Sequence, residues 1–313
     1  HAVSVTHASL LEHLPEAVAS AEGLCINGQL VARRLLARAV RRAGVTVVLS
    51  GEGADEVALG YPHLALDAGA ALAGLAAGHA AQVGVMLPAG DRPGVSALEA
   101  RLGATPSFLR AKVAFGERLL ALTQPGFRAA YPDALGDLVR SVADLPLEGR
   151  HPAHQAAALW MELCLAGYIL RGISDAQDMA EGIESRPPFL DPVVWSVARR
   201  VPVTAQLGGG VGKRFLRAAL AARLGPVAER PKHPFLAPPL VAALPGDPAL
   251  QARVLGYLDG LGAVPGVDRS AVRHWFDDTL ARPIPPAEQA ARDAVLWTLM
   301  SAAALADALR SAA

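Results

Sequence analysis

One junction limits the fold of this chain more than any other feature: a β-branched, apolar run that ends in an acidic glycine loop. The run from Val45 to Leu49 lies between Gly44 and Ser50, the pattern of a strand buried on both faces of a parallel sheet. The loop that follows, Ser50 to Glu56, reads SGEGADE. Because open α/β sheets bind ligands beyond the carboxyl ends of their strands, we predict an α/β protein with a site at this loop.

The remaining signals are mostly helical. Ser9, followed three residues later by Glu12, fits a capping box at the start of a first helix. Beyond Tyr61 strand signals are scarce. The clearest helical stretches in that part are Phe108 to Leu122, Gln155 to Leu170, Pro192 to Arg200 and Lys213 to Leu224. We therefore predict a mostly helical α/β chain and find no boundary between independent domains.

An amphipathic helix is predicted from Gln29 to Ala43, with Gly44 as its stop. Apolar side chains make one face of this helix, and arginines occupy the rest. The arginines are Arg33, Arg34, Arg38, Arg41 and Arg42. Such a face is usually in contact with solvent, so we expect these side chains to be exposed.

Composition narrows the classes of function. The 313 residues are 52% hydrophobic, enough for a large core, and 29 basic residues balance 29 acidic ones. A chain without net charge has no overall field to attract nucleic acid or an anionic membrane. Cys25 and Cys164 have neither metal-ligand spacing nor the density of a disulfide scaffold, which favours a cytoplasmic setting. The uncharged stretch from Ala68 to Gly90 is mostly alanine and glycine, and favours a helix pair over a membrane span.

The acidic loop has residues suited to phosphate chemistry. Gly51 and Gly53 permit a tight turn, and the amides that open the next helix can face an anion. Asp55 suits Mg²⁺, since a carboxylate tolerates phosphates only with a cation between them. Glu52 suits proton acceptance from an attacking amine. The alternative is a plain glycine turn whose acids cap a helix.

Two further segments are ambiguous. In the first, Glu184 and Arg186 could form a buried ion pair that holds a loop, while Asp191 and Pro192 fit a helix N-cap and first helical residue. We favour this structural interpretation over a catalytic one.

The second segment, Gly208 to Arg214, resembles a P-loop only superficially, because Leu207 and Arg214 stand where that motif needs Gly and Ser or Thr. Lys213 and Arg217 are four residues apart on one predicted helical face and could hold a pyrophosphate. They could equally form an exposed basic helix end, and Lys232 has the same two interpretations.

Three segments in order resemble the asparagine synthetase (glutamine-hydrolysing) family, in the C-terminal part of its synthetase domain. They are Val45 to Tyr61, Asp175 to Asp191, and Lys213 to Leu220 followed by Arg230 to Phe235. The resemblance implies an adenine-nucleotide α-hydrolase-like (ATP-pyrophosphatase) parallel sheet with a helical C-terminal portion. It also implies that ATP and Mg²⁺ activate a carboxylic acid, aspartate or an analogue, as an acyl-adenylate. Ammonia released from glutamine by a separate domain or chain then displaces AMP.

By position, the resemblance assigns roles to the residues of this chain. Glu52 would manage the proton of the nucleophile, Asp55 would bind Mg²⁺-pyrophosphate, and Lys213 would stabilise the charge of adenylate formation. The other residues assigned to ATP or pyrophosphate are Ser50, Gly51, Gly53, Arg217 and Lys232.

The chain also departs from the family. The nucleotide loop Ser-Gly-Gly-x-Asp-Ser and the domain with a nucleophilic cysteine are absent from these residues, Ala58-Leu59-Gly60 replaces a glycine pair, and Ala176 replaces an arginine. We therefore expect residues 1–313 to form one synthetase-like domain that works with an upstream part, a complementary chain or an oligomer.

Two alternatives remain open. One is an intramolecular amide ligase like the β-lactam synthetases or lasso-peptide cyclases, although Glu52 differs from the tyrosine typical of the β-lactam branch. The other is a non-catalytic remnant that binds a partner through its exposed sheet edge.

Overall fold

The computed structural model describes residues 1–71, 75, 79, 83–89, 94–131, 133–208, 212–230 and 235–312. Helices make up 67% of the described residues, beside a small parallel sheet of two strands. This agrees with the predicted mostly helical α/β class. Two strands do not establish an adenine-nucleotide α-hydrolase-like sheet, so that part stays a prediction.

Most of the described residues lie in short helices. The first part contains α1 (His7–Glu12), α2 (Leu14–Ala21), α3 (Gln29–Arg42), α4 (Ala54–Val57), α5 (Pro62–Asp67), α6 (Ser96–Leu102), α7 (Ser107–Leu120), α8 (Pro125–Ala130) and α9 (Ala134–Ser141). A long helix follows as α10 (Pro152–Trp160), a π-helical segment (Met161–Asp175) and α11 (Ala176–Met179). The last part contains α12 (Pro192–Ala198), α13 (Val203–Gln206), α14 (Arg214–Leu224), α15 (Leu240–Ala243), α16 (Pro248–Gly260), α17 (Arg269–Ala281) and α18 (Pro286–Ala312). Short 3₁₀ turns are Pro188–Leu190, Gly225–Glu229, Leu244–Gly246 and Leu261–Ala263.

The sheet pairs β1 (Val47–Leu49) with β2 (Glu184–Arg186) in parallel, with Val48 opposite Ser185. The predicted strand is thus confirmed, but its burial on both faces is wrong. Val47 is 41% exposed and Leu49 75% exposed. The reason is that β1 has a single neighbouring strand within the described part of the chain, whereas buried parallel strands are covered on every side.

Helix boundaries agree with the sequence to within about two residues for α3, α7 and α12. The predicted N-cap of the first helix does not agree with the structure. Thr6 is the N-cap of α1, and Ser9 is its third helical residue: the Ser9 amide donates to Thr6 Oγ1 at 3.1 Å, and the Thr6 amide donates to Ser9 Oγ at 3.0 Å. The capping box therefore exists, but it begins three residues before the predicted one. Ten of the 23 residues from Ala68 to Gly90, where a helix pair is expected, lie outside the described residues. Of the others, Val83 to Ala89 contain a turn closed by a bridge between Val83 and Leu87, so the expected helix is wrong there.

The arginine face of α3 is not wholly in solvent. The side chains of Arg33 and Arg34 are 15% and 11% exposed, and each forms an ion pair with an acid of the segment that follows the π-helix. Asp178 and Glu181 are these acids. The predicted exposure is wrong for Arg33 and Arg34 because α11 packs against α3 and brings Asp178, and Glu181 just after the helix, to this face.

The helix from Pro152 to Met179 is long and apolar enough to cross a membrane by length and composition. In this protein it packs against other helices, with Leu159 and Trp160 in a core cluster and Ile173 in the main core. Its middle is a π-helix rather than the predicted α-helix. Because π-helical turns are rare and are frequent at functional sites, the end of this segment is a candidate position for site residues.

One of the buried apolar clusters supports the loop after β1. The main core joins α2, α3, α16, α17 and α18, with Trp297 and Phe276 among its largest side chains. A second cluster packs α7 against α10. In a third, Leu59 and Leu64 pack on the alanines of α10. This last cluster fixes the chain directly after α4, and so fixes the far end of the acidic loop.

Candidate active site

The acidic loop leaves the sheet in a fixed direction. The Ser50 amide donates to the carbonyl oxygen of Arg186 at 3.0 Å, which extends the parallel ladder by one residue. Gly53 then adopts φ +85° and caps α4, and a Cβ at this position would overlap the Leu190 side chain. At Gly51 a Cβ would meet no described atom within 4 Å. Gly53 is therefore required by the fold of this chain, and Gly51 is not.

The acids of the loop do not cap α4, since its N-cap is Gly53 and no side chain bonds there among the described residues. Glu56 points inward instead. It accepts hydrogen bonds from the Tyr61 hydroxyl at 3.0 Å and from Trp160 Nε1 at 3.1 Å. Burial raises the pKa of Glu56, and the charge of Asp55 raises it further, although the two hydrogen bonds oppose this. Glu56 thus ties the loop to Trp160 at the end of α10.

Asp55 forms an ion pair with Lys213, which belongs to the distant segment Gly208 to Arg214. Lys213 Nζ lies 3.1 Å from Asp55 Oδ1, and the Lys213 amide donates to the Ala58 carbonyl oxygen at 3.0 Å. Lys213 adopts φ +60° and precedes the helix, which begins at Arg214. Its predicted place within the helix is therefore wrong. A Cβ at Gly60 would overlap both side chains of the pair, so glycine is needed where the two segments meet.

Arg217 does not project beside Lys213 as the four-residue spacing suggests, because Lys213 lies before the helix. Arg217 Nη1 donates to the carbonyl oxygens of Ala228 at 2.6 Å and Arg230 at 2.9 Å. Its guanidinium therefore holds the turn that follows α14, beside a surface groove of about 470 Å³. Lys232 lies outside the described residues.

Glu52 faces the other side of the loop, towards α3 and the end of the π-helix. Glu52 Oε1 accepts a hydrogen bond from Ser174 Oγ at 3.2 Å and lies 3.4 Å from Arg33 Nη1. The other oxygen, Oε2, is shielded from solvent and has no hydrogen-bond partner among the described residues. The same holds for Ser50 Oγ. A buried carboxylate oxygen without a donor can accept a proton or a ligand donor.

Arg33 also bonds a second carboxylate, that of Asp178. Arg33 Nε donates to Asp178 Oδ1 at 2.8 Å, and Nη2 pairs with Asp178 Oδ2, the two-pronged geometry of strong arginine–carboxylate pairs. Burial lowers the pKa of Arg33, but hydrogen bonding to Asp178 and the charges of Asp178, Glu52 and Asp175 outweigh it and raise the pKa overall. Burial is the largest cause that raises the pKa of Asp175, and the charges of Asp178 and Glu52 raise it further. The site thus combines one buried cation with several carboxylates.

Sequence reasoning missed Arg33, Ser174 and Asp178 as parts of this cluster. No local pattern distinguishes Arg33 from the four other arginines of its helix. Asp178 lies in the segment Asp175 to Asp191, which the sequence distinguishes only by its order along the chain, and Ser174 lies just before that segment. Their meeting depends on the packing of α11 against α3, which a linear pattern does not contain.

Glu184 and Arg186 form the suggested ion pair, but its predicted burial is wrong. Arg186 Nε donates to Glu184 Oε1 at 2.7 Å on strand β2, and both side chains are 60% exposed. A hydrogen bond from Arg186 lowers the pKa of Glu184. The residues are exposed because alternate side chains of a two-stranded sheet face outward. Asp191 does cap α12, accepting from the Val193 amide at 2.7 Å.

A comparison with known protein families identifies the family of this chain. The family model described as asparagine synthase matches residues 1–309. The chain belongs to the asparagine synthase family. Among its relatives are proteins of Mycobacterium bovis and of two strains of Mycobacterium tuberculosis, each provisionally named asparagine synthetase (glutamine-hydrolysing). Each is 32% identical over 230 residues, which cover 72% of this chain and 34% of the relative. The chain therefore spans about a third of the length of these curated relatives.

In this asparagine synthase-family chain, Asp55 suits a Mg²⁺ ion bound partly by phosphate oxygens and water better than one bound by protein side chains alone. Within the described residues no three histidine, cysteine or acidic side chains are grouped to hold a metal ion. Mg²⁺ commonly takes only one or two protein carboxylates and completes its shell with phosphate oxygens and water. Asp55, at the mouth of the loop and 21% exposed, fits one such ligand.

Proposed function

We propose that this chain supplies one wall of the active site of an ATP-dependent, amide-forming ligase that works through an acyl-adenylate. One observation supports this most directly: a single loop after a parallel strand presents Asp55 paired with Lys213 and, on its other side, Glu52 with an oxygen that has no partner among the described residues. A cationic group and a proton acceptor are what the two halves of such a reaction need. Membership in the asparagine synthase family supports the same reaction class.

In the first half, a carboxylate oxygen of the substrate attacks the α-phosphorus of ATP. The bond to the β-phosphate oxygen breaks, and pyrophosphate leaves as an acyl-adenylate forms. The ammonium of Lys213 would stabilise the charge that develops on the phosphates, as a preorganised donor does. Mg²⁺, when bound at Asp55, would neutralise charge on pyrophosphate. Ser50, Gly51 and Gly53 would shape the loop against the nucleotide, with Arg217 and Lys232 further from its centre.

In the second half, an amine attacks the acyl carbon, the bond to the AMP oxygen breaks, and AMP leaves. The attacking nitrogen must lose a proton before or as the amide forms. Glu52 Oε2 is a suitable acceptor because it is shielded and has no donor among the described residues.

The substrates and partners we propose follow the family. The carboxylic acid is aspartate or an analogue, the amine is ammonia derived from glutamine on a separate domain or chain, and the setting is the cytoplasm. The exposure of Leu49 on β1 supports a complementary segment, on the same or another polypeptide, that covers the strand and carries the phosphate loop. An oligomer could supply the same cover.

The test uses the full-length protein that contains this chain. ATP is incubated with aspartate, or with a panel of other carboxylic acids, together with glutamine or ammonium, and nucleotides and products are measured by mass spectrometry. We expect AMP and pyrophosphate rather than ADP and phosphate. With an ¹⁸O-labelled carboxylate, one label should appear in AMP. ADP as the product, or AMP without label, would overturn the acyl-adenylate mechanism.

The product also separates the open alternatives. An intermolecular amide supports the ammonia-dependent reaction, whereas loss of water from a single acid that carries its own amine indicates an intramolecular ligase. A protein that consumes no ATP with any acid, yet co-purifies with a defined partner, fits the non-catalytic remnant.

A further inference from the structure

We propose that Arg33 is a positioning residue that orients Glu52, with Asp178 as its anchor. This inference rests on the proposed function, because it explains how the proton acceptor of the amide-forming step is held. Arg33 would act through Glu52 and would not touch the reacting atoms.

Contacts to Glu52 are confined to one of its oxygens. Oε1 accepts from Ser174 Oγ at 3.2 Å and faces Arg33 Nη1 at 3.4 Å, while Oε2 has no partner among the described residues. A carboxylate held through one oxygen presents the other in a fixed direction. Proton transfer requires the acceptor within about 3 Å of the proton donor, so this restraint matters for the rate.

Arg33 can restrain Glu52 because it is itself immobile. Two of its nitrogens bond the carboxylate of Asp178, whose side chain is 2% exposed. Arg33 Nη2 also lies 3.4 Å from the hydroxyls of Ser174 and Ser185. The guanidinium is planar with five fixed donors, so bonding at Nε and Nη2 also fixes Nη1, the atom that faces Glu52.

The supports come from two helices, α3 and the long helix from Pro152 to Met179. Arg33 lies on α3, Ser174 near the end of the π-helical segment, and Asp178 on α11, while Glu52 lies on the loop after β1. Arg33 interacts with the charges of Asp178, Glu52 and Asp175, and so offsets the repulsion that Asp175 experiences from the other two carboxylates. Without Arg33, Glu52 would face Asp175 with only a serine hydroxyl to hold it, and we expect it to turn towards solvent.

The test compares Arg33→Met with Arg34→Met in the full-length protein. Arg34 is a matched control: it lies on the same helix and is buried to a similar degree. It donates to Ser20 Oγ at 3.1 Å and forms an ion pair with Glu181 at 3.1 Å rather than with Glu52. Both variants lose a buried guanidinium, so shared defects of folding cancel. Thermal unfolding of both variants verifies that the comparison is fair.

Two readouts are measured. Crystal structures of both variants show whether Glu52 Oε1 stays within hydrogen-bond distance of Ser174 Oγ, and kinetics separate amide formation from pyrophosphate release. In Arg33→Met we expect Glu52 to turn away, and amide formation to fall about 100-fold, the effect of displacing a reacting group by about 1 Å. Pyrophosphate release should fall much less, and Arg33→Lys should recover part of the amide rate. Arg34→Met should leave both readouts near those of the unchanged protein.

Each outcome decides the inference. If Glu52 keeps its orientation in Arg33→Met, or if both half-reactions fall equally, Arg33 does not position Glu52. If the unchanged protein forms no amide, the proposed function fails, and the crystal structures still determine whether Arg33 orients Glu52.

Discussion

Lys213 Nζ lies 3.1 Å from Asp55 Oδ1, and this ion pair joins two loops that are far apart in the sequence. The side chains are 28% and 21% exposed, so the pair is screened and contributes little to stability, about 0 to 1 kcal/mol. Backbone contacts do more to hold the loops, because the Lys213 amide also bonds the Ala58 carbonyl oxygen. The arrangement is better suited to placing an ammonium and a carboxylate at the mouth of a site.

We predict that Lys213→Ala slows pyrophosphate release without unfolding the protein. The loss should be about 3 kcal/mol of transition-state stabilisation, the scale of removing one preorganised donor, or more than about 100-fold in rate. ATP-dependent pyrophosphate release with a saturating acid measures it. Arg214→Ala, which removes the exposed cation next in the chain, should have little effect. An unchanged rate in Lys213→Ala would exclude this role for Lys213.

The backbone of Lys213 makes a second prediction possible. At φ +60° a residue with a Cβ carries a strain of about 1 to 2 kcal/mol that glycine does not. Lys213→Gly should therefore be about 1 kcal/mol more stable than Lys213→Ala, although both lack the ammonium and should be equally slow. Denaturant unfolding of the two variants measures the difference. Equal stability would show that the strain is relieved elsewhere.

The sequence anticipated the parts of the site that depend on local pattern. The strand Val47–Leu49 and the glycine loop after it could be predicted because apolar runs and glycines have local signatures. The family resemblance assigned Asp55 and Lys213 to the same ATP site, but it predicted no ion pair between them. The start of helix α12 at Pro192 could be predicted because Asp191 before it is a typical N-cap residue.

Other features could not be predicted because they arise from packing between distant segments. The contacts of Arg33 with Asp178 and Glu52 need α3, α11 and the loop to meet. The π-helical winding of Met161–Asp175 has no counterpart in the apolar periodicity, which fits an ordinary helix equally well. The positive φ of Leu59, where a glycine pair was expected, is imposed by neighbouring structure that buries its side chain.

We predict that Gly53→Ala is strongly destabilising for two separable reasons. The residue has φ +85°, and a Cβ would overlap the Leu190 side chain, so the loss should exceed about 2 kcal/mol. Leu190→Ala in the same protein should recover the part due to overlap and leave the backbone strain, which a double-mutant cycle measures. Gly51→Ala, where a Cβ meets no described atom within 4 Å, is the matched control and should change stability by less than about 1 kcal/mol. Equal losses at both positions would contradict this account.

A further prediction concerns the pH dependence of stability through Asp293. Burial raises the pKa of Asp293 to about 7, although hydrogen bonds from the amides of Val241 and Leu240 oppose the rise. Because the pKa in the unfolded chain is about 4, the folded state binds the extra proton between these values. The contribution of this group to stability is therefore fully present below about pH 4 and is lost as pH rises through about 7.

Asp293→Asn should remove this dependence, since the amide oxygen can still accept from the Val241 amide, which bonds Asp293 Oδ1 at 3.0 Å. Relative to the variant, the unchanged protein should lose a few kcal/mol of unfolding free energy between about pH 4 and 8, at about 1.4 kcal/mol for each unit of pKa difference. Urea unfolding across this range measures the change. Asp307→Asn, at a side chain that is 76% exposed, should leave the slope as it is. If the curves of the unchanged protein and Asp293→Asn run parallel, Asp293 is ionised in the folded state at neutral pH, and its bonds to the start of α15 outweigh its burial.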